Sequence, residues 1–293
     1  MPIKVENLSF TYSPKTPFET AALREVNLTV ETGEFFGIIG HTGSGKSTLV
    51  QHFNGLIKPQ SGKVTVLGID VSEKRTLKEL RSKVGMVFQY PEYQLFAETV
   101  EADVAFGLKN FFGGKHSPLT PEKIENSVKE AIELVGLDYE YVRKRSPFDL
   151  SGGQRRRVAI AGVIVTKPKI LILDEPTAGL DPKGKREIMA LLHSLKRECS
   201  PTVVMIGHDM DEMAENCSRI CVLEEGRIAY VLPPARLFTL ADELVRLKLD
   251  LPETVKIARR LRECGIDTPP GLFTPEALAP AIAEHFKTGR QDQ

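Results

Sequence analysis

The stretch GHTGSGKST, Gly40 to Thr48, restricts this chain more than any other. It follows a short apolar run, FFGII, and opens a segment with helical spacing, KSTLVQHF, so it reads as a glycine-rich turn between a buried strand and a helix. Phosphate oxygens need several donors converging on one concave surface. Successive backbone N–H groups supply them only where glycines leave room and accept unusual φ/ψ. Gly40, Gly43 and Gly45 provide that freedom, and Gly40 through Ser47 fit the pattern G-x-x-x-x-G-K-[ST] in full. The positive end of a helix beginning near Gly45 then faces the anion, Lys46 reaches the β- and γ-phosphates, and the Ser47 hydroxyl is placed to ligate Mg²⁺. His41 and Thr42 occupy free positions of the pattern, and Ser44 and Thr48 complete the loop. Such a stretch holds a nucleoside triphosphate.

The flanking sequence predicts an α/β fold around it. IKVENLSFTY and ALREVNLTV alternate as strands, and EFFGII, VGMVFQ, ILILD and TVVMIG are short, nearly continuous apolar runs of the kind buried in a parallel sheet. Helical patterns separate them: KSTLVQHFNGL, LKELRSK, a helical middle from Glu98 to about Val165 broken by GGKHSP and SPFDLSGG, a long helix near Lys183 to Cys199, and DMDEMAEN. RICVLEE and RIAYVL read as a final extended pair, and Pro233-Pro234 closes the pattern. This gives a main domain over residues 1–232, with a helical subdomain at about 91–165, and a helical extension over 233–293 whose TGRQDQ end reads as disordered.

Lys plus Arg and Asp plus Glu balance at 39 each, so bulk charge gives no reason to expect nucleic acid as a partner. The N-terminus lacks a basic and apolar leader, and no window reaches the roughly 18 apolar residues of a membrane helix, which predicts a cytosolic chain. Cys199, Cys217, Cys221 and Cys264 lack paired metal-site spacing and are expected to be reduced structural thiols, with a helix-to-strand boundary between Cys217 and Cys221.

Two further motifs bear on the chemistry. ILILDEP ends a buried strand in Asp174 and Glu175; Asp174 is placed to hold Mg²⁺ and Glu175 to polarise an attacking water. LSGGQRRRVAIA supplies a second phosphate-friendly helix start, made by Ser151, Gly152, Gly153 and Gln154. One chain holds one γ-phosphate, so the second cradle is redundant in a monomer but not in a head-to-tail dimer.

At these residues the chain resembles the ATP-binding cassette (ABC) ATPases, from about Val5 to Leu232. The resemblance implies a P-loop core with antiparallel β and helical subdomains. Tyr12 falls where the family stacks an aromatic ring on adenine. Gln89, at the end of VGMVFQ, matches the glutamine that touches Mg²⁺ and the water; Asp181 in AGLDP matches the loop across the dimer seam; His208 matches the switch histidine at the γ-phosphate. Two cassettes would sandwich two ATP molecules, closing on binding and reopening on hydrolysis, with Glu175 as base and Lys46, Ser151, His208 and Mg²⁺ stabilising the transferred group.

FQYPEYQLFAETVEADVAFG, with Tyr90, Tyr93, Leu95 and Phe96 behind Gln89, together with the tail LDLPETVKIARRLRECGID, is similar to the A components of energy-coupling factor transporters, closest to the second of the two. That likeness implies an ATP-hydrolysing subunit at the cytoplasmic face of the membrane. Its partners would be a second A component or another copy of itself, a transmembrane T component and a substrate-binding S component that takes up vitamins or transition-metal ions. The C-terminal helices would then add an ATPase-to-ATPase contact; the spacing of Leu244, Leu247, Leu251, Ile257 and Leu261 fits packing on the core equally well. The alternatives are the ATPase of a different ABC importer, or a soluble cassette acting on DNA or ribosomes. The latter class usually carries coiled-coil insertions, zinc cysteines or two cassettes, and the only basic cluster here is Arg155 to Arg157. A P-loop kinase would leave LSGGQ without a task.

Overall fold

A computed structural model of the protein describes residues 1–112, 119–266, 268–269 and 272–288; the GGKHSP loop and the tail beyond Thr288 lie outside them. Strands β1 (Ile3–Tyr12) and β2 (Thr20–Val30) form a hairpin, and β3 (Phe35–Ile39) is the FFGII run. After the glycine-rich turn come α1 (Lys46–Phe53), β4 (Ser61–Val66), β5 (Ile69–Asp70), α2 (Leu77–Lys83) and β6 (Val84–Val87). The helical middle holds α3 (Val100–Phe112), α4 (Pro121–Leu134), α5 (Tyr139–Val142) and α6 (Gly152–Ile164). Then follow β7 (Ile170–Asp174), α7 (Pro182–Glu198), β8 (Thr202–Ile206), α8 (Met210–Asn216), β9 (Arg219–Glu224) and β10 (Arg227–Leu232). The chain ends in α9 (Pro234–Leu237), α10 (Ala241–Arg246), α11 (Glu253–Glu263) and α12 (Pro275–Thr288).

Two sheets organise these elements. One is antiparallel, in the order β2-β1-β4-β5; the other runs β10-β9-β3-β8-β7-β6 and is parallel except for its β9–β10 edge pair. The central strands are apolar throughout because both of their faces are covered. Alternate residues divide between two cores: Phe35, Ile39, Leu171, Leu173, Val203 and Met205 face the helical side, while Phe36, Ile38, Ile170, Ile172, Val204 and Ile206 face the other. A one-residue slip of any strand would exchange the two sets, so register is fixed by burial on both sides.

That register also makes the site. Ile38 pairs with Ile206, Asp174 with Ile206, and Val87 with Leu173, so the carboxyl ends of β3, β8, β7 and β6 lie side by side. Ligands of open α/β sheets bind at this edge, where the strand order reverses around the first-laid strand.

Three expectations change. Gln89 does not end a strand, since β6 stops at Val87 and Gln89 stands in the connection after it. Leu95 is not part of an exposed aromatic patch: it is 6% exposed and belongs to the core shared by α3, α4 and α6. Ile257 is 44% exposed, because α11 turns Thr254, Val255 and Ala258 inward instead. Leu244 and Leu251, by contrast, are buried as their spacing suggests, beside Leu249 and Val255, in the same apolar cluster as Leu171 and Leu173. Helices α9, α10 and α11 therefore share the core of the sheet. The Asp211 carboxylate, on α8, accepts the Glu253 N–H at 3.0 Å and so supports the start of α11.

All four cysteines are free thiols; α8 ends before Cys217, and Cys221 lies inside β9, where burial pushes its thiol up to about 12. Among the described residues no helix is long and apolar enough to cross a membrane.

Candidate functional site

A cleft of about 410 Å³ opens at the carboxyl edge of the large sheet, lined by Tyr12, Thr20, Ala22, Thr42, Gly43, Gly45, Lys46, Ser47, Thr48, Gln89, Glu175 and His208. That volume is in the range of small-molecule sites. Four other predicted residues stand just behind the wall. Gly40 and His41 offer their carbonyl oxygens to Lys46 Nζ at 2.7 and 3.0 Å, Ser44 is fully buried, and Asp174 is buried at the end of β7. The glycines are required by the chain itself. Gly45 has φ +102°, and a Cβ there would lie 2.4 Å from the Ala22 carbonyl oxygen; at Gly40 it would lie 2.3 Å from that of Leu223. Gly43, with φ +84°, has open space where a side chain would go, at the tip of the loop.

Electrostatically the floor is an ammonium between two carboxylates. Burial pushes the Lys46 ammonium down from its ordinary value, while Glu175 and Asp174 pull it back up. Burial likewise pushes the Asp174 carboxyl up, opposed by the nearby Ser47 hydroxyl and reinforced by Glu175. A hydroxyl and a carboxylate side by side under a backbone N–H cradle are the oxygen donors a hard divalent cation takes, so the residues fit a Mg²⁺-nucleotide.

Glu175 is the meeting point of the site. Its carboxylate accepts Gln89 Nε2–H at 2.8 Å on one oxygen and pairs with His208 Nε2 on the other. Its backbone takes a left-handed φ of 50°, and its N–H donates to the Ile206 carbonyl at 3.1 Å. A non-glycine residue in that region costs about 1–3 kcal/mol and persists only where its surroundings fix it. The same turn that strains Glu175 aims its carboxylate into the cleft.

Tyr12 forms the outer wall, 41% exposed. Its hydroxyl shares a 3.1 Å hydrogen bond with the Thr48 hydroxyl, and Phe10 packs edge-on against its ring at 4.9 Å. Phe10 in turn meets the buried His52 ring at 5.2 Å, and His52 Nδ1 bonds the Thr48 carbonyl at 2.7 Å. Phe10, His52, Thr20 and Ala22 escape the sequence reading. The Thr20 position follows from the hairpin register, which sets Tyr12 opposite Thr20, and no motif spacing encodes that pairing.

The remaining predicted residues are not in the cleft. Ser151 caps α6 by accepting the Gln154 N–H at 3.3 Å, and the Gln154 side chain accepts the Ser151 N–H at 3.0 Å, a reciprocal box. Gly152 and Gly153 are exposed, and an added Cβ at either would meet nothing within 4 Å. Neither has a positive φ. Among the described residues nothing requires glycine at those two positions. Asp181 caps α7 by accepting the Gly184 N–H at 2.9 Å. The basic cluster divides by burial and partner: Arg157 donates to the Val135 carbonyl and Glu187, and Arg156 is buried.

Comparison with known proteins bears on this arrangement. The family model described as ABC transporter matches residues 23–178. The chain is 48% identical over 287 residues to an energy-coupling factor transporter ATP-binding protein EcfA2 of Clostridium tetani, covering 98% of each chain. It is 49% identical over 283 residues to the protein of that name from Symbiobacterium thermophilum, covering 96% of each. Among solved structures it is similar to cbiO1 of Clostridium perfringens, part of the ABC transporter complex cbiONQ, with a TM-score of 0.73 at 37% identity over 88% of this chain and 98% of that one. It is also similar to the ATP-binding cassette MJ0796, solved as a dimer in a post-hydrolysis state bound to ADP and Pi, with a TM-score of 0.69 at 33% identity over 79% and 98%.

Proposed function

The chain belongs to the ABC transporter family and, within it, to the energy-coupling factor transporter ATP-binding proteins; from that premise we propose how its residues divide the work. It is an ATPase subunit that couples hydrolysis to transport. Lys46 and the N–H groups of the Gly40–Thr48 loop hold the β- and γ-phosphates, and Tyr12 stacks on the base. Ser47, Asp174 and Gln89 would hold Mg²⁺, which would supply neutralisation of phosphate charge there. Glu175 takes the proton of the attacking water, and His208 contacts the γ-phosphate, so the Glu175–His208 pair opens as nucleotide enters between them.

The observation that carries the dimer is the pair Gly152 and Gly153. They cost a helix start up to about 1 kcal/mol each relative to alanine, and among the described residues no contact of their own chain asks for them. Bare N–H groups at an exposed helix start, away from the cleft, suit the γ-phosphate of a facing copy or sibling. With Glu175→Gln, ATP should drive the chain into a stable dimer on size-exclusion chromatography with light scattering. A variant that binds ATP and stays monomeric, alone and with its sibling, would refute the sandwich.

The docking face supports a membrane partner. Tyr93 and Phe96 are 82% and 60% exposed, Phe96 packs edge-on with exposed Phe106 at 4.9 Å, and Leu56, Met86, Phe88, Phe111 and Val163 line an apolar groove. Exposed aromatics and an apolar groove suit a helix of a transmembrane T component at the cytoplasmic face, which joins the S component that chooses a vitamin or metal ion. Acidic substitutions at Tyr93 and Phe96 together should abolish co-purification with that subunit; retention at wild-type yield would sink the assignment. The exposed face of α11, with Ile257, is a second contact between ATPases on this reading.

A further inference from the structure

Arg156 lies on α6, one helical turn past the Ser151–Gln154 start, and is only 3% exposed. A buried guanidinium is tolerated when every N–H finds an acceptor. Here each does. Nε and Nη2 donate to the two oxygens of Glu92 at 3.1 and 3.0 Å, Nη1 to the carbonyls of Pro176 and Ala178 at 3.2 and 3.1 Å, and Nη2 also to Ala178 at 3.1 Å.

The acceptors sit on two loops with different tasks. Pro176 and Ala178 belong to the turn that begins at Glu175, closed by the Ala178 N–H on the Glu175 carbonyl at 3.1 Å. That turn keeps Glu175 in its left-handed conformation. Glu92 belongs to the single-turn helix Pro91–Gln94, which displays Tyr93 and is entered through Tyr90, itself left-handed at φ 53°. The Tyr90 ring lies over Gly179, where an added Cβ would be 3.5 Å from it. One side chain thus bridges the helix that starts at Ser151, the turn that carries Glu175, and the turn that faces outward beside Gln89.

We propose that Arg156 is a positioning residue for hydrolysis: with Glu92, it holds the Glu175 turn in register with the outward turn that carries Tyr93. The proposal rests on Glu175 being the base. Glu92 does not line the cleft, and both of its carboxylate oxygens are bonded to Arg156, so its influence on turnover passes through Arg156. Lysine cannot replace the fork, because a single ammonium has three donors at one point and cannot reach both loops in this geometry.

The experiment uses the full-length chain: steady-state ATP hydrolysis, nucleotide binding and Tm for wild type, Glu92→Gln, Arg156→Lys and the double variant, with Lys46→Ala as control. A sub-ångström to ångström displacement of a catalytic group lowers turnover by one to two powers of ten, so Glu92→Gln is expected to lower kcat about tenfold. KM and ATP binding should stay within about twofold, and the double variant should be no slower than Arg156→Lys alone. Wild-type kcat in folded Glu92→Gln, effects that multiply in the double variant, or a KM that rises as kcat falls would each overturn the proposal. If Arg156→Lys does not fold, Glu92→Gln alone decides. Undiminished turnover in Lys46→Ala would remove the underlying reading of the site; an inactive Lys46→Ala beside an unimpaired Glu92→Gln sinks only the role given to Arg156.

Discussion

The chain begins two helices on glycine-rich turns, and they are constrained in opposite ways. At the start of α1, Gly40 and Gly45 press against the carbonyls of Leu223 and Ala22, and Lys46 is buried and tied to the loop's own carbonyls. At the start of α6, Gly152 and Gly153 face open space among the described residues, and the turn is tied by the reciprocal Ser151–Gln154 bonds. The first turn is specified by its own fold and becomes a phosphate cradle as a result. The second is left bare by its fold, which makes sense when its contact comes from outside the chain. Composition alone would class the two together; what separates them is what a methyl group would strike.

Adding that methyl group is the sharpest way to break the comparison. Gly45→Ala puts a Cβ 2.4 Å from the Ala22 carbonyl in a backbone with φ +102°, and the strain should cost at least about 2 kcal/mol. A fall in Tm of about 4 °C or more is expected in thermal denaturation, together with loss of ATP binding. Gly153→Ala is predicted to do the reverse to stability. With nothing within 4 Å and an ordinary helical φ, it should leave Tm unchanged or raise it slightly, as helix propensity dictates. ATP binding by the single chain should survive, while turnover and nucleotide-driven dimerisation fall about tenfold or more, because the methyl stands where a facing phosphate would come. If Gly153→Ala hydrolysed ATP at the wild-type rate, the two turns would differ only in packing and the functional contrast would be lost.

The same contrast marks what the sequence could disclose. The strands FFGII, ILILD and TVVMIG were legible because they are covered on both faces, and the cradle because its spacing is dictated by a ligand's shape. The edge where Gly40, Gln89, Glu175 and His208 meet follows from parallel strands with aligned ends. Less local features stayed hidden. Leu95 looks like a member of the aromatic run around it, but the left-handed step at Tyr90 and the single helical turn after it point Leu95 inward while Tyr93 and Phe96 face out. Three consecutive arginines on α6 form a basic cluster whose members the sequence does not tell apart. Arg156 is buried because its acceptors come from Glu92, Pro176 and Ala178, far along the chain in both directions. Ile257 keeps the helical period of its neighbours and lands on the outer side of α11 because Val255 and Ala258 take the inner one.

The anchors of the two helices also differ in chemistry, and this gives the mildest test. The start of α1 is set by backbone packing, which does not titrate; that of α6 is fastened by the Glu92–Arg156 ion pair. Burial alone would push the Glu92 carboxyl up, but the bonds from Arg156 outweigh it and hold the group below the usual glutamate range. Folding therefore releases the Glu92 proton more readily than the unfolded chain does. The stability this contributes is fully present above the unfolded value of about 4.3 and is lost as pH falls through the lower folded value. Glu92→Gln, which cannot ionise, should melt a few degrees below wild type at pH 7, and the gap should close progressively below about pH 4. A gap that stays constant across that range would mean that Arg156 grips its neighbours through the carbonyls of Pro176 and Ala178 alone, leaving the outward turn uncoupled from the base.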